Sequence, residues 1–92
     1  MESTTVTGDH AIVNDLGLHA RPASKLVALA NKFSCDVFVA KGETEVNGKS
    51  ILGVLMLACP KGGTIQLRCV GEDAQEAHDA IAELIRGGFG ES

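Results

Sequence analysis

The 92-residue chain has no tryptophan and no tyrosine, and apart from histidine its only aromatic side chains are three phenylalanines. Its core must therefore be built from Leu, Val, Ile and Ala. Cysteine is scarce and odd in number (Cys35, Cys59 and Cys69), and no CxxC pair occurs. That argues against a disulfide framework or a paired-cysteine zinc knuckle, and leaves three small semi-apolar fillers suited to a reducing cytosol. Positive charge is also short: 8 Lys and Arg face 12 Asp and Glu, a net charge of −4. Nucleic acid and anionic membrane surfaces call for a basic face, so neither is an expected partner. Long apolar runs are missing, and the longest, Ile51 to Cys59, is far too short to cross a bilayer. Met1 to Gly8 lacks the basic start and apolar stretch of a secretion signal, so a cytoplasmic location is expected.

What is present is the composition of a folded domain, 45% apolar and 22% charged, and the length predicts one domain over residues 1–92. The pattern reads strand, helix, two strands, short helix, strand, helix. A first strand is expected over Asp9 to Asn14, around Ala11-Ile12-Val13, followed by a loop through Leu18. Helical spacing runs from Ala20 to Phe33, with Ala23, Leu26, Val27, Ala30 and Phe33 on one face and Pro22 in the first turn, where its missing N–H costs nothing. Val37 to Ala40 and Thr44 to Val46 read as a hairpin turning at Lys41-Gly42-Glu43. Ser50 opens a short apolar segment, Ile51 to Ala58, stopped by Pro60 and Gly62-Gly63. Thr64 to Val70 alternates as a half-buried strand does. Asp73 and Glu76 resemble a capping box for a last helix with an Ala77, Ile81, Leu84, Ile85 stripe, ended by Gly87-Gly88. With helices only as connections and tail, they should cover one face of an antiparallel sheet and leave the other to solvent.

The chemically informative stretch is Gly17-Leu18-His19-Ala20-Arg21-Pro22-Ala23. It sets a histidine at the junction of a loop and a helix. First-turn N–H groups and the helix dipole make such a junction a ready anion site. Arg21 can reach the same anion with a planar, permanently charged fork. A neutral imidazole has a ring nitrogen free to attack phosphorus, and phosphoryl transfer asks mainly for positioning and positive charge. The same residues also fit a plainer reading, with His19 a weak cap or surface residue and Arg21 merely solvated. No metal-ligand partner for His19 and no Ser/His/Asp arrangement stands nearby, and no cofactor or resident metal is called for.

The string GLHARPA, with Asn14 before it and Ser24-Lys25-Leu26 after it, resembles the active-site signature of the histidine-containing phosphocarriers, the HPr family of the bacterial phosphoenolpyruvate-dependent sugar phosphotransferase system. Asn47-Gly48-Lys49-Ser50-Ile51-Leu52-Gly53 is similar to the segment around that family's regulatory serine, and the likeness spans nearly the whole chain. The resemblance implies a non-enzymatic phosphocarrier. His19 would be phosphorylated on Nδ1 by enzyme I and would pass the group to enzyme IIA domains, with Arg21 neutralising the phosphate. It implies an α+β, βαββαβα open-faced sandwich, with a four-stranded antiparallel sheet in order 1-4-2-3 and three helices on one face. It also implies that Ser50, an N-cap by its residue type, could be phosphorylated by a serine kinase/phosphorylase.

The Ile51 to Leu57 segment is apolar on nearly every side, more than one short helix can bury. Val54, Leu57 and Ala58 are expected to face the core. Ile51, Leu52 and Leu55 are expected outside, forming with Leu18 and Ala20 a docking patch for partner proteins. Lys25, Lys32 and Lys49 read as a solvated face that could steer acidic partners. His10 and His78 read as separate surface residues, and the chain as a monomer. Other readings are an HPr homologue of the nitrogen-related regulatory branch, a ferredoxin-like small-ligand or metal module, and an RNA-binding module suggested only by Lys61-Gly62-Gly63. Against the metal module, the first loop carries His19 and Arg21 where paired cysteines belong. Against the RNA-binding module stands the acidic balance.

Overall fold

In a computed structural model, which describes residues 4–91, seven regular elements follow one another. They are β1 (Thr5–Ala11), α1 (Ala20–Ala30), β2 (Asp36–Lys41), β3 (Thr44–Asn47), α2 (Ile51–Met56), β4 (Thr64–Val70) and α3 (Ala74–Arg86), with a single 3₁₀ turn at Gly88–Gly90. The strands form one antiparallel sheet in the order β1-β4-β2-β3. β4 runs between β1 and β2, and its inward residues Ile65, Leu67 and Cys69 are fully buried. Val37 and Val39 of β2 join them, and the helices close over this side with Ala23, Leu26, Val54, Ala77, Ile81 and Ile85. The architecture is the α+β open-faced sandwich the sequence led us to expect.

The opposite face carries polar cross-strand contacts. Arg68 of β4 lies directly across from Phe38 of β2, with its guanidinium carbon 4.2 Å from the ring centroid. The same guanidinium donates to Glu45 through Nε at 3.1 Å and Nη2 at 2.8 Å. A planar fork can meet a carboxylate and an aromatic face at once, which suits a sheet surface open to water.

Several boundaries differ from the sequence reading. The first strand is Thr5–Ala11, four residues earlier at its start than expected, because Thr and Val alternation supports a strand whose inward side is only half-buried. Ile12 is buried beyond the strand's end and stays tied to the approach of β4 through Gly62 N–H to its carbonyl at 2.8 Å. α1 stops at Ala30 rather than Phe33. The amides of Lys32 and Phe33 turn to carbonyls three residues back, and the Asn31 side-chain amide donates to the Val27 carbonyl at 2.9 Å. α2 ends at Met56, and Ala58 is exposed, not core-facing, with a φ of 47° outside the helix. Asp73 makes no side-chain bond to its own helix. Its carboxylate instead accepts from Ser34 N–H and Cys35 N–H, both at 2.8 Å, and so fastens the α1–β2 connection to the start of α3. His10 and His78 are not independent surface groups, because their Nε2 atoms meet at 3.2 Å between β1 and α3.

All three cysteines are free and buried. Burial pushes the Cys69 thiol up to about 12, helped by the neighbouring Cys35, so it stays protonated and acts as a filler.

Candidate functional site

The loop before α1 is shaped by Gly17. Its φ is +69°, and a Cβ there would sit 2.5 Å from the Cys59 carbonyl oxygen and 2.9 Å from Pro60 Cα, so neither the conformation nor the space admits a side chain. Leu18 follows as a buried plug, and its N–H donates to the Cys59 carbonyl at 2.8 Å. The chain is thus pinned on both sides of the position where it turns into α1.

His19 occupies the N-cap of that helix in an extended conformation, and its ring does not cap the helix. Its carbonyl accepts the first helical bond, from Ala23 N–H at 3.0 Å. The amides of Ala20 and Arg21 lie in the first turn, where no carbonyl four residues back can serve them, and Pro22 has no N–H to offer. The imidazole is about one-third exposed and therefore reachable from solvent. Arg21, two residues on, is exposed and has no side-chain hydrogen bond among the described residues, and its charge is felt at Glu91.

A carboxylate completes the site from the far end of the chain. His19 Nε2 lies 2.8 Å from Glu91 Oε1, and the same oxygen accepts from the buried Asn14 side-chain amide at 2.9 Å. The Asn14 amide nitrogen also donates to the Gly17 carbonyl at 2.7 Å, so one buried side chain holds the loop and the carboxylate together. The His19 hydrogen bond holds the Glu91 carboxyl below the usual carboxylate range, with further help from Asn14 and the charge of Arg21. An ionised carboxylate only accepts, so the ring nitrogen facing it must carry the proton. In the neutral ring the lone pair then belongs to Nδ1.

Glu91 reaches the site because the chain after α3 folds back. Phe89 is fully buried with a φ of 57°, and its carbonyl accepts from Lys25 Nζ at 2.6 Å. Lys25 is therefore a clamp on this tail rather than a free steering charge, and Lys49 likewise donates to the Phe33 carbonyl at 2.8 Å. Sequence reasoning missed Glu91 and the role of Asn14. Asn14 was in view only as a flank of the signature, and nothing local marks Glu91.

A shallow groove beside His19 is lined by Leu16, Leu18, Ala20, Leu55, Ala58 and Pro60. Leu18 contributes a buried floor and Leu55 is half-buried, while Ala20, Ile51 and Leu52 are exposed. Leu52 is 76% exposed, and Leu16 and Met56, which the sequence reading did not single out, are as open. Ser50 caps α2, its Oγ accepting from Gly53 N–H at 3.1 Å. Among the described residues there is no group of three or more metal-binding side chains, and no helix is long and apolar enough to cross a membrane.

Residues 6–87 match the family described as the PTS HPr component phosphorylation site. The chain is 49% identical over 80 residues to a phosphocarrier protein HPr of Neisseria meningitidis, covering 87% of this chain and 90% of that one. It is 44% identical over 81 residues to a phosphocarrier protein NPr of Shewanella violacea, covering 88% and 89%. The crystal structure of HPr-C-His from Thermoanaerobacter tengcongensis superposes with a TM-score of 0.85 at 40% identity, covering 100% of this chain and 99% of that one.

Proposed function

The chain belongs to the HPr family of phosphocarriers of the phosphotransferase system, and on that premise we propose that His19 is its phosphoryl acceptor, loaded by phosphorylated enzyme I and unloaded by enzyme IIA domains. The observation that carries this reading is the ionised Glu91 carboxylate on Nε2, which leaves Nδ1 as the nucleophile at a helix start.

The chemistry needs little beyond these groups. The Nδ1 lone pair forms a bond to phosphorus while the bond from phosphorus to the donor breaks, and that electron pair returns to the donor. His19 keeps its Nε2 proton, so the phosphorylated ring carries a positive charge facing Glu91. Onward transfer reverses the step, with the pair of the breaking N–P bond returning to Nδ1. The first-turn amides of Ala20 and Arg21 and the Arg21 guanidinium would hold the phosphoryl oxygens. The protein turns nothing over by itself. It supplies a positioned nucleophile to partners that carry the rest of each site.

Leu16, Ala20, Ile51, Leu52, Leu55 and Met56 form the apolar surface on which those partners would dock, with Leu18 beneath it. Ser50 is the regulatory candidate. Phosphate on its Oγ would add about two negative charges beside that surface and weaken binding of an acidic partner. Incubation with the serine kinase and ATP should label the protein but not Ser50→Ala. The chain is expected to act in the cytoplasm as a monomer, which sedimentation can check.

A second reading, service in the nitrogen-related regulatory branch, rests on the similarity to the Shewanella violacea NPr. Offering enzyme I of each branch as donor separates the two. The main test mixes the protein with phosphoenolpyruvate, magnesium and enzyme I. One acid-labile phosphoryl group should appear and be lost in His19→Ala. A folded wild-type protein that stays unlabelled with either donor ends the proposal.

A further inference from the structure

Away from the His19 site, His10 of β1 and His78 of α3 bring their Nε2 atoms to 3.2 Å, with ring centroids 5.1 Å apart and ring planes inclined by 48°. We propose that this pair is a two-histidine chelate for a late first-row divalent metal ion of the zinc or nickel type, with water filling the remaining positions.

The spacing fits the ion. Two imidazole nitrogens about 2.0–2.1 Å from a tetrahedral zinc stand about 3.3 Å apart, close to the separation found here. Gly8 shares the inward side of β1 with His10 and lies against the pair. A Cβ on Gly8 would lie 2.6 Å from His78 Nε2 and 3.1 Å from His10 Nε2, so the bare glycine is what lets the two nitrogens meet. A shallow pocket bordered by Asp9, His10, Val13 and Arg86 lies on the other side of His10.

Protonation also suits a ligand role. His78 Nδ1 faces Asp79 Oδ1 at 3.3 Å, an outer-shell carboxylate of the kind that leaves Nε2 free to bind. Without metal, one proton bridges the two Nε2 atoms; with metal, it moves to His10 Nδ1 and both lone pairs face the ion. Arg86 and Asp9 bring opposite charges to His10 and Asp79 a negative one to His78, so these charges do not repel a divalent ion. Imidazole pairs select zinc, nickel and copper over magnesium and calcium.

The test is calorimetric titration of the full chain with Zn²⁺ and separately with Ni²⁺ in a non-chelating buffer. It compares wild type with His10→Ala, His78→Ala, Gly8→Ala and His19→Ala. One ion should bind wild type and His19→Ala alike, and binding should weaken at least tenfold in the other three. In wild-type ¹⁵N spectra, Zn²⁺ should shift Nε2 of His10 and His78 and leave His19 unmoved, a readout that needs no variant to fold and no phosphotransfer. Absence of binding to wild type, unchanged binding in His10→Ala or His78→Ala, or shifts confined to His19 would overturn the proposal.

Discussion

Glu91 Oε1 and His19 Nε2 stand 2.8 Å apart although 72 positions separate them in the chain. The contact fixes which imidazole nitrogen carries the proton, and with it which one can attack. Glu91→Gln replaces an obligatory acceptor with a group that can also donate, so the single neutral tautomer should give way to a mixture. In ¹⁵N spectra, Nδ1–H should become populated, and phosphorylation by enzyme I should slow roughly tenfold, a modest rise in barrier. Glu91→Asp, which keeps the charge on a shorter arm, should fall between. An unchanged tautomer together with an unchanged rate would remove Glu91 from the chemistry.

The carboxylate is only as well placed as the tail that bears it. Phe89 is fully buried, and Lys25 grips its carbonyl. Truncating a buried phenylalanine costs about 3–5 kcal/mol through lost transfer energy and the cavity left behind. Phe89→Ala should therefore lower stability by that order in urea unfolding and also mix the His19 tautomers as Glu91→Gln does. Full stability in the variant would mean that the tail is not anchored by this ring.

Legibility in the sequence followed chain distance. His19, Arg21 and Pro22 lie within four positions, so the helix start and its free first-turn amides could be read from a single heptapeptide. The alternation of Thr64 to Val70 and the stripe of α3 reflect one-sided burial against the sheet, and periodicity reports that directly. The partnerships across the fold had no such local signal. Asp73 looked like a cap by residue type, yet its carboxylate serves two amides 39 and 38 positions away. His10 and His78 are 68 apart and became a pair only once β1 and α3 were packed together. The start of β1 was hidden for another reason. Its inward residues are Val6, Gly8 and His10, so the apolar contrast that marks a strand is nearly absent.

Leu52 tests the docking surface with little risk to the fold. It is 76% exposed, and exposed substitutions away from special features usually change stability by less than about 0.5 kcal/mol. Leu52→Glu puts a charge where an apolar partner face would have to desolvate it. The KM for enzyme I should rise about tenfold, with unfolding unchanged and turnover at saturation largely kept. Wild-type kinetics in the variant would take α2 out of the interface.

Asp73 links stability to pH. Its hydrogen bond from Ser34 N–H, joined by that from Cys35 N–H, holds the carboxyl below its usual value of 3.8. A group whose folded pKa is depressed binds protons less readily in the folded chain than in the unfolded one. Its stabilising contribution is therefore complete above the unfolded value and is lost as pH falls through the folded one. The contribution should be intact from neutral pH down to about pH 5 and should fade below about pH 4. Glu91 and Glu45 are shifted the same way by His19 and Arg68, so acid should weaken the tail and the sheet face in the same window. Asp73→Asn keeps the shape and removes the charge. Urea unfolding should find it less stable than wild type at pH 7, with the gap closing at pH 3. A gap of constant size across that range would show that Asp73 acts there through shape alone.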